Sequence, residues 1–316
     1  MIAKVGFGAG IFAWMVWSGK VDLGQVVKAV AHWPLMLAIV ALGYTQVAIT
    51  ACRWALLLRA QEIRLPLTQA WGLTMIGMLF NIVVPGAVGG DLIKGYYITR
   101  AAPKRKSHAA TSILMDRVVG LIGLLFLGAV MALAHYRETL SSPATRSLGI
   151  LTAGGCFGGL AVLYVAVLAG SRLSASPLVP RILRGVFQAL HDYRRKASVI
   201  WAALAISVLN QTLTCAMYYL ALLATGASDL PLSQFFLVVP LGLVTSAIPI
   251  SPGGIGVGQA AFFALFRIVS PAHATAGTEA LTVFQVMFIL VCLTGLYWYI
   301  SYKHTAVEAG VESGMI

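Results

Sequence analysis

The chain has 316 residues, 59% of them hydrophobic and only 10% charged. A water-soluble domain carries about 25% charged residues, so a soluble fold is excluded and the chain reads as an all-α integral membrane protein. The formal net charge of +12 points to cytoplasmic loops rich in Lys and Arg and to anionic lipid headgroups, not to nucleic acid.

A bilayer-spanning helix needs about 20 apolar residues. In chain order the full spans are predicted at 3–18, 34–57, 110–134, 148–170, 198–224 and 279–301. The first is short. Lys4 and Lys20 bound it, it contains Trp14 and Trp17, and no small-x-small cleavage site follows before Lys20, so it reads as a retained helix and not a signal peptide. In the second, Gln46, Thr50 and Arg53 recur at helical spacing as one polar stripe. Two further segments, 70–95 and 232–268, are irregular and contain glycine-rich breaks. Segment 181–196 places Ile182, Val186, Phe187 and Leu190 on one helical face and Arg184, His191, Arg194 and Arg195 opposite. It reads as an amphipathic helix on the cytoplasmic surface, with a solvated linker as the alternative. Residues 1–303 form one polytopic domain, and 304–316 are a polar C-terminal tail.

Charge decides how the irregular segments run. With the N-terminus inside and both segments re-entrant, sixteen cations fall inside. They include Arg53, Lys94 and the cluster Arg100–Lys106. Five fall outside (Lys20, Lys28, Arg137, Arg146 and Arg267), and Arg117 lies within a span. If only the first segment crossed fully, the 94–106 cluster would move outside and the positive-inside bias would collapse. The expected architecture is therefore about six full spans plus two oppositely oriented re-entrant helical hairpins, an inverted repeat. Both termini are cytoplasmic, in the plasma or inner membrane.

The two breaks read alike. The first is Asn81, Ile82, Val83, Val84, Pro85, Gly86, Ala87, Val88, Gly89, Gly90, Asp91. The second runs from Ala247 through Pro249, Ser251, Pro252, Gly253, Gly254 and Gly256 to Gln259. Paired broken helices in corresponding halves of a membrane protein point to a transport site. Irregular backbone is tolerated in hydrocarbon only where it faces protein or a wet cavity. A half-helix opening at Gly89 or Gly90 would present free N–H groups and a positive dipole to a phosphate or carboxylate; Asp91 is an alternative cap for that helix. Tight helix packing is the competing role for these glycines.

Intramembrane charges are costly and mark function. Asp116 and Arg117 are adjacent in sequence, so they leave the helix in different directions. Arg117 is expected to meet a lipid phosphate and Asp116 an arginine elsewhere; the alternative is that both snorkel to the interface. Arg53 is a candidate partner for an anionic headgroup or for Asp91, and Lys94 is expected to attract the phosphate with it. Asn210 and Gln211 read as interhelical hydrogen-bonding groups, and Gln259 and Gln285 likewise. Cys52, Cys156, Cys215 and Cys292 are expected to be buried small residues, and no HxxxH or HExxH pair is present. No metal or other cofactor is expected. No nucleophile–base pair is visible and no GxxxxGK[ST] loop is present, so neither catalysis nor ATP hydrolysis is expected.

NIVVPGAVGGD at 81–91, LIKGYYITR at 92–100, ILMDRVVGLIGLL at 113–125 and AIPISPGGIGVGQAAF at 247–262 together resemble the flippase-like family, the transmembrane region of lysylphosphatidylglycerol synthases and its free-standing relatives. The resemblance runs from about residue 10 to 300. It implies transbilayer movement of a lipid: an anionic or aminoacylated phospholipid, or a polyprenyl-linked or hopanoid lipid. In two-part members a soluble domain makes the aminoacylated lipid; this chain carries none, so synthesis is not expected. The family's second motif often ends in glutamate where Gln259 stands here, which argues against proton coupling at that position. The alternatives are a secondary transporter of a small soluble anion, an intramembrane transferase acting on a lipid-linked donor, and a structural membrane partner. Self-association is left open.

Overall fold

The computed structural model describes residues 10, 12–83, 89–175, 180–247 and 254–301. Among these the chain is helical, with no strand. The elements are α1 (Leu23–Val30), α2 (Trp33–Ala60), α3 (Leu67–Val83), α4 (Gly89–Ala101), α5 (Lys106–Ala134), α6 (Pro143–Ala175), α7 (Arg181–Asp192), α8 (Ala197–Ala224), α9 (Leu232–Ala247), α10 (Val257–Val269) and α11 (Ala274–Leu293). Five helical stretches are long and apolar enough to cross a membrane: Trp33–Ala60, Pro103–Ala134, Pro143–Ala175, Leu183–Ala224 and Pro271–Ser301. Each contains one of the predicted spans and extends beyond it. The sixth predicted span, 3–18, lies largely outside the described residues, as does the tail 304–316.

Local sequence sets several helix ends. Asp22 caps α1, its Oδ1 accepting from the Gly24 amide at 2.7 Å and the Gln25 amide at 3.3 Å. Pro34 opens α2, where its missing N–H costs nothing. At the far end of α2, Glu62 takes φ 59°, the left-handed region, and turns the chain into α3.

Helix α5 is the centre of the bundle and packs against α2, α4, α6, α7, α8 and α9. Small residues allow the close approach. A Cβ on Gly123 would lie 2.7 Å from the Ser207 Cβ, and one on Gly128 would lie 2.6 Å from the Thr152 methyl. The predicted polar stripe of α2 faces α8, and successive rungs run in opposite directions along the two helices. Gln46 Nε2 donates to Thr214 Oγ1 at 2.6 Å, Thr50 Oγ1 approaches Asn210 Oδ1 at 3.5 Å, and Arg53 Nη1 donates to Ser207 Oγ at 2.7 Å. Gln211 Nε2 donates to the Gly120 carbonyl at 3.2 Å. Asn210 and Gln211 thus bond between helices, as expected.

Each irregular segment is a helix–break–helix pair with antiparallel arms. In α3–α4, Gly77 lies beside Lys94 while Asn81 meets Gly90. In α9–α10, Gly242 lies against Phe262, and Leu237 shares a groove with Ile268 and Val269. The two pairs approach α5 from opposite ends. Along α4, Gly95 faces Ile113 and Asp91 bonds to Arg117, so the α4 start lies toward Gly120. Along α9, Leu237 shares its groove with His135 and Thr139 while Pro240 faces Gly128, so the α9 end also points toward the middle of α5.

The apolar face of α7 is covered by protein: Val186, Phe187 and Leu190 pack with Met115, Val119, Leu163 and Val167 of α5 and α6. A Cβ on Gly170 would sit 2.4 Å from the Phe187 carbonyl oxygen. The cysteines need one correction. Cys156, Cys215 and Cys292 are buried, but Cys52 is exposed, because it points away from the α2 stripe that faces α8; all four are free thiols.

The glycine contacts separate structural from tolerant positions. A Cβ on Gly90 would meet the Gly77 carbonyl oxygen at 2.0 Å, whereas one on Gly158 meets nothing within 4 Å. Gly90→Ala is expected to lower stability by about 3 kcal/mol through overpacking against backbone, and Gly158→Ala to leave it unchanged or slightly raised. Thermal unfolding midpoints of the purified variants in detergent check the contrast.

Candidate functional site

Two ion pairs leave α5 in different directions from adjacent residues. Asp116 turns inward, and its Oδ1 accepts from Arg53 Nε at 2.8 Å. Both residues are buried, Arg53 at 5% and Asp116 at 8% exposure. Arg53 Nη1 also donates to Ser207 Oγ, which in turn donates to the Ala203 carbonyl at 2.7 Å. Gly120 leaves the space this guanidinium needs: a Cβ there would lie 3.4 Å from Nη1. Arg117 turns toward α4 and grips Asp91 with two bonds, Nε to Oδ2 at 2.7 Å and Nη2 to Oδ1 at 3.1 Å. This is the fork geometry that suits Arg to a carboxylate, and it is partly open, with the Arg117 side chain 48% exposed.

The sequence offered Arg53 either a headgroup or Asp91. Asp91 is not its partner: Arg53 pairs with Asp116, while Asp91 pairs with Arg117. Asp91, in the first turn of α4, is engaged by Arg117. The Gly90 amide instead donates to Asn81 Oδ1 at 2.9 Å. The counterpart at the second break is similar. The Gly256 amide donates to Gln259 Oε1 at 2.7 Å, and Gln259 Nε2 donates to Gln285 Oε1 at 2.6 Å. Gly254 (φ 72°) and Gly256 (φ 83°) occupy the left-handed region, where a side chain costs about 1 kcal/mol or more. At the first break the Asn81 amide thus occupies one of the backbone N–H groups expected to face an anion. Gly89 is buried at the α4 start. Pro85, Gly86, Pro249, Ser251, Pro252 and Gly253 lie outside the described residues.

Lys94 completes the cluster. It is one turn beyond Asp91 on α4, and only 8% exposed. Its stem lies against Gly77, where an added Cβ would be 3.0 Å from Lys94 Cε. Its ammonium sits 4.8 Å above the Trp54 ring. Trp54 is held edge-on by Ser112, whose Oγ accepts from Nε1 at 3.3 Å. Burial strips the Lys94 amine of solvent first of all; beyond that it feels the carboxylates of Asp116 and Asp91 and, against them, the guanidiniums of Arg117 and Arg53. Among the described residues no carboxylate reaches Lys94 within ion-pair distance. Three cations and two carboxylates leave the cluster at a formal +1, and the two carboxylates are committed to the two arginines. Arg53, on the predicted polar stripe of α2, and Lys94, within the first irregular segment, are both buried between helices. Trp54, Ser112, Ser207 and Gly120 were not singled out. The Gly120–Gly123 spacing within an apolar span was the available signal for a close helix contact.

The buried pair is expected to behave as a structural unit. Asp116→Asn leaves Arg53 charged without a counter-charge and should cost about 3–5 kcal/mol. Arg53→Met combined with Asp116→Leu should recover most of that loss. Unfolding midpoints of the single and double variants in detergent measure both effects.

The family model for the lysylphosphatidylglycerol synthase transmembrane region matches residues 1–295. The chain is also 25% identical over 271 residues to a UPF0104 membrane protein of Methanothermobacter thermautotrophicus, covering 77% of this chain and 78% of that protein. No solved structure matches it. With its long apolar helices and its buried charged cluster on α2, α4 and α5, this multi-pass membrane protein belongs to the lysylphosphatidylglycerol synthase transmembrane-region family.

Proposed function

We propose that this protein moves a phospholipid across the bilayer, passing the headgroup through the interior while the acyl chains stay in lipid. The observation that carries the reading is Lys94: a buried lysine amine whose nearest carboxylates are already held by arginines, in a cluster of formal charge +1. A phosphate is the chemistry such a site lacks. Cation–π contact with Trp54, worth about 2 kcal/mol when desolvated, holds the ammonium in place without neutralising it. A phosphate arriving there gains an ion pair in a low-dielectric setting.

In this reading α3–α4 and α9–α10 are re-entrant hairpins related as inverted repeats, entering from the cytoplasmic and outer faces, with both termini cytoplasmic and the protein in the plasma membrane. The approach of both pairs to the middle of α5 from opposite ends supports it. The partly exposed Arg117–Asp91 pair forms the rim, where Arg117 meets a phosphate first. The Gln46 Oε1 atom, buried and without a hydrogen-bond partner, supplies an acceptor for a headgroup hydroxyl or amine further along the α2–α8 stripe. Family membership makes an anionic or aminoacylated phospholipid the leading substrate, with polyprenyl-linked or hopanoid lipids as further members of the class. The protein acts as a translocase and not as a synthase. Movement is downhill, or coupled to an ion or to the membrane potential.

The test is a reconstituted vesicle assay with fluorescent phospholipids and a membrane-impermeant quencher. Protein-containing vesicles are expected to exchange labelled phosphatidylglycerol or its aminoacylated form much faster than empty ones, and Lys94→Gln to slow this by about tenfold or more. Equal rates with and without protein across anionic, aminoacylated and zwitterionic lipids overturn the proposal. Lys94-dependent uptake of a small soluble anion without lipid movement would reassign the site to solute transport.

A further inference from the structure

A second cationic feature lies at the other end of the bundle, on the outer arm of the second helix pair. Ala260, Phe263, Ala264, Arg267 and Ile268 follow one another on a single face of α10, at the three- and four-residue spacing of a helix. The two alanines keep the floor of this face low. Trp14, Met15 and Lys20 form the opposite wall, and the groove between them has a volume of about 510 Å³. Met15 is fully buried in the core that also holds Phe262 and Phe266, so the wall is anchored.

Two observations show what the groove accepts. First, Lys20 is fixed in place: its ammonium stands 3.6 Å from the Trp14 ring centroid and 5.5 Å from that of Phe263. Second, among the described residues neither Lys20 nor Arg267 has a carboxylate within ion-pair distance. The nearby acids are occupied: Asp22 caps α1, and Glu279 accepts from the Asp22 amide at 3.3 Å. Both border one groove. Exposed Trp14, Trp17 and Trp33 mark the same end as a membrane–water interface.

We propose that this groove seats one anionic phospholipid of the leaflet at that end. Its phosphate lies between Lys20 and Arg267, and its glycerol and upper acyl chain lie along Ala260 and Ala264 against Phe263 and Ile268. Two cations on an apolar floor complement an anionic headgroup on a hydrocarbon chain, and a zwitterionic lipid gains less from them. The seat is separate from Lys94 and does not depend on translocation.

The experiment uses the full chain in nanodiscs containing a small fraction of phosphatidylglycerol or phosphatidylcholine brominated near the headgroup, with tryptophan fluorescence as the readout. Trp14→Phe identifies the contribution of Trp14. That contribution is expected to be quenched at about tenfold lower mole fraction of brominated phosphatidylglycerol than of brominated phosphatidylcholine. Ala264→Phe, which fills the groove without touching a charge, and Lys20→Gln/Arg267→Gln should each abolish the difference. Arg267→Lys should keep it. Millimolar inorganic phosphate should not displace the lipid. Equal quenching by the two lipids overturns the proposal. So does a preference that survives both Ala264→Phe and the double charge variant, or full displacement by inorganic phosphate. Ala264→Phe and the charge variant act through different surfaces, so failure of one to fold leaves the other decisive.

Discussion

Five charged side chains stand close together within an apolar helix bundle, and the Arg53–Asp116 pair makes that arrangement tolerable. A lone buried charge is prohibitively expensive in such surroundings. The pair neutralises two of the five, and the Ser207 hydroxyl satisfies a further donor of the guanidinium. In doing so it fixes the relative position of α2, α5 and α8, with Gly120 and Gly123 providing the space for the contact. Because Asp116 is committed inward and Asp91 is committed to Arg117, Lys94 sits over an aromatic face with no carboxylate within ion-pair distance among the described residues. In the proposed function, stability and headgroup binding rest on different members of one cluster. The fully paired residues hold the bundle together, and the residue beside them is left available to a ligand.

The two broken helix pairs share a construction and differ in electrostatics. Each places a side-chain amide on a backbone N–H at the start of its second arm: Asn81 of the first arm on Gly90, and Gln259 of the same arm on Gly256. The first carries Asp91 and Lys94 immediately past its break. The second carries the uncharged Gln259, tied to Gln285, and its cation, Arg267, comes ten residues after the break, at the outer end of the arm. A phosphate crossing between the two ends would thus meet its strongest attraction on the α4 side.

Much of this was legible in the sequence, for reasons that separate local from tertiary information. Apolar length located the long helices. The 46–50–53 stripe announced a polar contact, and adjacency of Asp116 and Arg117 showed that they serve different neighbours. Which neighbour each one meets was not legible. Arg53 was as plausible a partner for Asp91 as for Asp116, because that choice depends on how α2, α4 and α5 are rotated about their axes. Asn81 was visible as part of a motif, but its reach across the break to Gly90 requires the arms to fold back on each other. Cys52 shows the same limit: it sits in an apolar run, yet exposure depends on which face of α2 turns outward. Trp54 carried no signal of its own, since a tryptophan next to an arginine in a span has no unique reading until Lys94 is placed over it.

What occupies the space beside Lys94 Nζ decides whether this cluster binds a headgroup. A high-resolution structure of the protein in nanodiscs containing an anionic phospholipid measures this directly. A lipid phosphate is expected within hydrogen-bonding distance of Lys94 Nζ, with the Arg53–Asp116 pair intact behind it. A Lys94 paired to a carboxylate of the protein itself, with lipid confined to the outer perimeter of the bundle, would contradict it.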